Sequence, residues 1–217
     1  MKGMNSKYRD LVELILDYGY DYEDPNRKGV MRTQINSYTL KHNMLKEGFP
    51  FITSKRTYPL LALKELELFM SGETNIRKYW ELGVNFWDKD WLRFIGQDEK
   101  RLDLPEEAYQ LVNIYPSFIT NWNGQVDQIK KLIGTLKNNP MSTKKTVTMW
   151  DPSVEGVLSP CHFMFQAIVR PLSEDEIVQE YYKKREAVGG DWIRSEDVPK
   201  YALTIKWHQH SVDVGLG

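Results

Sequence analysis

Several things are scarce in this 217-residue chain, and each scarcity excludes something. There is one cysteine, Cys161, so no intrachain disulfide can form. The opening MKGMNSKYRD has no apolar leader, and with a single thiol this suits a reducing, cytoplasmic setting. No apolar run approaches the roughly 20 residues a membrane-spanning helix needs. Net charge is −1, so there is no bulk basic field to draw nucleic acid or anionic lipid. Internal repeats and low-complexity tracts are absent. His208 and His210 stand two apart and share one side of a strand, but no further Cys or His cluster stands near them, so no metal is expected.

What is present is ordinary for one globular domain spanning 1–217: 41% hydrophobic and 27% charged residues. Tyr8, Leu11, Leu14, Ile15 and Tyr18 recur at helical spacing, with Ser6 to cap the start and Gly19 the end. Residues 24–34 read as loop, followed by strand-like alternation through Ile35, Ser37 and Thr39 and again over 49–53. Residues 60–71 read as a largely buried helix ending at Gly72, and 74–82 as a short helix capped by Thr74. Residues 92–117 read as an irregular, charged surface excursion. Val126, Ile129, Leu132, Ile133 and Leu136 form an apolar stripe that stops at Asn138-Asn139-Pro140. Strands are predicted at 145–150, 162–170 and 201–209. Between the last two, Ser173-Glu174-Asp175-Glu176 has capping-box form and predicts a helical insertion over 171–200. The fold class is α/β (α+β), with one twisted mixed sheet covered by helices.

Three places could carry chemistry. Cys161 follows Pro160, which fixes the backbone approach and removes one N–H donor. Read alone, it is core filler or a nucleophile. His162 follows directly, but adjacent strand residues point to opposite faces, which argues against it as the thiol's base. Glu65 and Glu67 sit about 200° apart on one apolar helix, so one faces inward at a cost that only hydrogen bonding or function offsets. Trp87-Asp88 closes an apolar stretch, where Trp87 reads first as packing.

Taken in order, Arg27-Lys28-Gly29, EGFPFITSKR (47–56), KELELFMSGETNI (64–76), GVNFWD (83–88), DQIKKLIGTLKNNP (127–140), SPCHFMFQ (159–166) and HQHSVDVGLG (208–217) resemble the thymidylate synthase family. The resemblance implies a homodimer in which one sheet packs on its partner's sheet. It implies a pyrimidine deoxynucleotide substrate, dUMP converted to dTMP, and 5,10-methylenetetrahydrofolate as co-substrate. Cys161 would be the nucleophile, adding to carbon 6 of the base. Glu65 would manage proton transfers through water, and Trp87 would line the reaction and folate pocket. Tyr115 matches a tyrosine near the thiol, although YPSFITNW around it departs from the family pattern. Gln209, Ser211 and Asp213 match nucleotide-side residues. Asp213, Leu216 and Gly217 match the folate side.

The departures are as informative. The family holds the substrate phosphate with four arginines. Here only Arg27 is retained; the pair expected from the partner subunit falls on Thr143 and Lys144, and the last falls on His210. Arginine offers phosphate a bidentate fork, lysine a point charge, threonine no charge, and histidine a charge only when protonated. Weaker phosphate binding or another substrate is therefore expected, and hydroxymethylation of dUMP or dCMP is the alternative reaction. The family pattern also runs on past Gly217. A complementing C-terminal segment is thus an expected partner, and a non-catalytic fragment or paralogue that retains the fold is the third reading.

Overall fold

The computed structural model describes residues 3–25, 28–100, 103–153, 156–158, 160–210, 212 and 214. The chain divides into two compact units, one of residues 1–63 with 213–217 and one of residues 64–212. In the first, α1 (Met4–Tyr18) is followed by a hairpin of β1 (Tyr20–Glu23) and β2 (Met31–Gln34), then by α2 (Met44–Glu47). Gly3, not Ser6, is the N-cap of α1, and Gly19 ends it as predicted. Residues 31–34, read from sequence as loop, are paired strand, with Tyr20 opposite Gln34 and Glu23 opposite Met31. The strands expected further on, over 35–39 and 49–53, do not form. Alternation alone cannot make a strand without a neighbour to accept its ladder.

The division between units falls inside α3 (Pro59–Ser71). α3 ends where predicted. Gly72 takes φ +79°, and a side chain there would also meet the Thr120 hydroxyl at 2.6 Å. The expectation of a largely buried helix is corrected, however. Only Leu68 is buried, while Leu60, Leu63, Leu66 and Met70 are exposed. α4 (Ile76–Glu81) takes Asn75 rather than Thr74 as its cap, the side chain accepting from Arg77 N–H. α5 (Asp88–Phe94) begins directly after Trp87.

The largest correction concerns 92–117. This stretch holds core residues: Tyr109, Leu111 and Ile114 are almost wholly buried, as is Trp91 just before it. Trp91 and Tyr109 stack with centroids 6.1 Å apart, and the Trp91 indole donates to the Ala108 carbonyl. A turn with Asn113 at φ 51° leads into α6 (Tyr115–Thr120), which has Pro116 in its first turn.

α7 (Gln128–Asn138) follows the predicted stripe, with Asp127 capping Lys130 N–H. α6 and α7 pack on β3 (Thr146–Thr148). Gln128 joins all three. Its amide donates to Phe118 O and Thr148 O at 2.7 Å each and accepts from Thr148 N–H at 3.0 Å. β3 pairs with β4 (His162–Pro171), which pairs with β5 (Tyr201–Gln209). The three strands run antiparallel, so the sheet expected to be mixed is antiparallel among the described residues. The predicted insertion between β4 and β5 contains α8 (Glu174–Ala187), whose capping box is complete. Glu176 also binds Arg170 through two hydrogen bonds, and that guanidinium, with the Ser173 N–H, pushes its carboxyl down to about 2.

Side-chain direction in the sheet follows its register. Val147, Phe165, Ala167, Trp207, Ile205 and Leu203 share one face. That face is buried at Val147 and Ala167, but at Leu203, Ile205 and Trp207 it is about half exposed. No described helix is long and apolar enough to cross a membrane.

Candidate active site

The site is built on the segment that sequence reading placed at the surface. Residues 112–115 form a platform against which the approach to Cys161 is laid. Val157 N–H donates to Val112 O at 3.2 Å. Gly156 lies so close that a Cβ would stand 2.7 Å from Val112 O and 2.8 Å from Asn113 O, so only glycine fits there without displacing backbone.

At the end of this approach the buried Tyr115 hydroxyl accepts two backbone N–H bonds, from Cys161 at 2.9 Å and from His162 at 3.2 Å. Both acceptor positions of the phenol oxygen are then used, and its own hydrogen remains a donor. On the other side, Cys161 O accepts from His210 N–H at 2.9 Å. The cysteine backbone is thereby held from α6 and from the end of β5, while its side chain is half-buried.

Glu65 and Trp87 complete the arrangement. Of the two glutamates on α3, Glu65 is half-buried and Glu67 exposed. Trp87 Nε1 donates to Glu65 Oε1 at 2.8 Å. The Trp87 ring meets Tyr115 edge-on with centroids 6.0 Å apart, and Phe69 touches both. Burial raises the Glu65 carboxyl above its ordinary range, and the Trp87 N–H opposes that shift. Burial likewise raises the Tyr115 phenol, against the pull of its two N–H donors. Phe69, Trp87 and Tyr115 thus form an aromatic wall beside the half-buried carboxyl.

Residues 6–217 match the family model for thymidylate synthase. The chain belongs to the thymidylate synthase family. This is a family of methyltransferase-type enzymes that act on a nucleotide with methylenetetrahydrofolate as co-substrate.

The structure brings Cys161, Glu65, Trp87 and Tyr115 together through Tyr115. His210 joins them by its backbone, and its ring lies between Trp150, at 6.3 Å, and Phe163, at 6.1 Å. Thr143 and Lys144 stand apart, exposed in the loop between α7 and β3. Gln209 is exposed at the end of β5, and its side chain hydrogen-bonds His162. Arg27, Ser211, Asp213, Leu216 and Gly217 lie outside the described residues. No group of three or more His, Cys, Asp or Glu arranged for a metal occurs among the described residues. Sequence reading missed Phe69, whose ring joins Trp87 to Tyr115. The only sign of it was its place four residues after Glu65 on the same helix.

Two outcomes test this geometry. Tyr115→Phe leaves two N–H groups without their acceptor, so a stability loss of about 2 kcal/mol is expected, with faster amide exchange at Cys161 and His162. Loss of stability with both amides still protected would mean that the phenol does not anchor them. For Glu65, the folded carboxyl sits above its unfolded value. Its contribution to stability is therefore full below the ordinary carboxylate range and is lost as pH rises through the folded value. Glu65→Gln keeps an acceptor for Trp87 and removes the ionisation. Urea unfolding should show the variant more stable than the parent at neutral pH, with the gap closing in acid. A gap that does not change with pH would contradict a raised Glu65.

Proposed function

We propose that this chain catalyses one-carbon transfer to carbon 5 of a pyrimidine deoxynucleotide, in the first instance the reductive methylation of dUMP to dTMP. The observation that carries this reading is the double N–H anchor at Tyr115. It holds the one cysteine against an aromatic wall that contains a half-buried carboxyl.

In this reaction the Cys161 thiolate adds to carbon 6 of the base, which makes carbon 5 nucleophilic; covalent addition divides one hard step into easier ones. Methylenetetrahydrofolate supplies the one-carbon unit and the hydride. Tyr115 holds the Cys161 backbone, so the sulfur meets the ring from a fixed direction. Glu65, whose carboxyl burial raises above its ordinary range, would pass protons to and from the base through water. Trp87 orients that carboxyl and offers its ring to the folate. Asp213, Leu216 and Gly217 are assigned to the folate side, and Arg27, Gln209 and Ser211 to the nucleotide, on the resemblance alone. The chain would work as a homodimer, with Thr143 and Lys144 serving the partner's site, in the cytoplasm.

Hydroxymethylation is the second reading, in which water rather than hydride quenches the same exocyclic intermediate. It is favoured by Thr143, Lys144 and His210 standing where the family's phosphate arginines are expected, because that pattern fits an altered substrate.

The decisive experiment is mass spectrometry after incubation with 5-fluoro-dUMP and methylenetetrahydrofolate. A covalent ternary adduct is expected, and it should vanish in Cys161→Ala. Absence of the adduct in folded protein would overturn the reaction for this nucleotide. With dUMP itself, a product one oxygen heavier than dTMP would select hydroxymethylation. His210→Arg should tighten nucleotide binding about tenfold, the gain expected of one charge-assisted phosphate contact. An unchanged Kd would place the phosphate elsewhere.

A further inference from the structure

One irregularity decides which way His162 faces. His162 pairs with Gln209, but Met164 pairs with His208, so Phe163 is an extra residue on β4. In an unbroken strand His162 would share a face with Met164. The bulge transfers it to the face of Phe165, Trp207 and Gln209. There its ring lies 5.2 Å from Tyr115 and 5.1 Å from Trp207.

Both neighbours on β5 engage the imidazole. Trp207 Nε1 donates to His162 Nδ1 at 3.3 Å. An indole N–H is only a donor, so Nδ1 must carry a lone pair and the proton of the neutral ring must sit on Nε2. Gln209 stands opposite His162 across the sheet, and its side chain hydrogen-bonds the imidazole. With Nδ1 taken by Trp207, the Nε2–H is the ring's remaining polar group, and the Gln209 amide oxygen is the atom that can accept it. Burial holds the ring toward its neutral form. Tyr115 from α6 also packs against it. Glu65 acts on the Tyr115 side of this cluster.

We propose that Trp207 and Gln209 are positioning residues that hold His162 in the neutral, Nε2-protonated form against the Tyr115 ring. The imidazole is thereby withheld from Cys161 as a base, and the two N–H bonds to Tyr115 keep their geometry. The catalytic meaning of this arrangement rests on the reaction proposed above; the tautomer does not.

The test is long-range proton–nitrogen NMR on the full chain with isotope-labelled histidine. His162 is distinguished from His42, His208 and His210 by the signal lost in His162→Gln. The native chain should show His162 protonated on Nε2 only, through neutral pH. Trp207→Phe keeps the stacking on Phe165, whose ring lies 5.5 Å away, and removes the donor. Its His162 titration should move up by roughly half a pH unit to one unit, the size that one neutral hydrogen bond carries. Gln209→Leu removes an acceptor and should move the titration down. Movement of both variants in the same direction, as looser packing alone would give, overturns the proposal; so does a native ring protonated on Nδ1. If the tautomer is as stated but no fluoropyrimidine adduct forms, the proposed reaction fails and the positioning role stands.

Discussion

A single phenol oxygen is the point on which this site depends. By accepting from two successive N–H groups, Tyr115 ties the first turn of α6 to the start of β4. Everything that fixes α6 therefore fixes the cysteine: Pro116 in its first turn, the Gln128 amide that links Phe118 to Thr148, and the buried residues just before it. Each neutral hydrogen bond contributes only about 1 kcal/mol net. Two on one atom also define a direction, which fixes how the cysteine backbone enters β4.

The same burial acts on three ionisable groups with one result. It raises the Glu65 carboxyl and the Tyr115 phenol and lowers the His162 imidazole, so each is pushed toward its neutral form. For Glu65 the Trp87 N–H opposes that push. For His162 burial disfavours the cation, against the pull of the Gln209 side chain. Sequence adjacency and chemical partnership are thus separate matters here. Cys161 and His162 share an anchor through their backbones, while the imidazole is engaged by residues more than forty positions away.

Elements with a period were legible in the sequence. The α7 stripe, the three strands of the sheet and the capping box of α8 all lie where spacing placed them. The 92–117 segment was not, because its buried residues, Tyr109, Leu111 and Ile114, are spaced by two and then by three and sustain neither a strand nor a helical period. They are buried by a turn and by backbone bonds such as Leu111 N–H to Thr74 O, which leave no pattern in the letters. The reverse error occurred at α3, where Leu60, Leu63 and Leu66 are apolar yet exposed, since hydrophobicity records a preference and not the presence of a neighbour. Within the site, helix geometry reduced the choice between Glu65 and Glu67 to one inward carboxyl without saying which. Tyr115 was visible only through resemblance. The Trp207–His162 contact was invisible, because strand alternation places His162 on the wrong face unless the extra residue is known.

That extra residue has a consequence for how the strand can vary. A regular strand ties all its residues into one alternating set, so its interior cannot be shifted without turning the end. The bulge at Phe163 divides β4 into two parts with independent phase. Residues 164–171 keep the regular register with β5, with Ala167 buried, while the backbone N–H groups of Cys161 and His162 are held by Tyr115. Core and site thus occupy one continuous piece of chain yet answer to separate constraints, and substitutions that repack one need not re-aim the other.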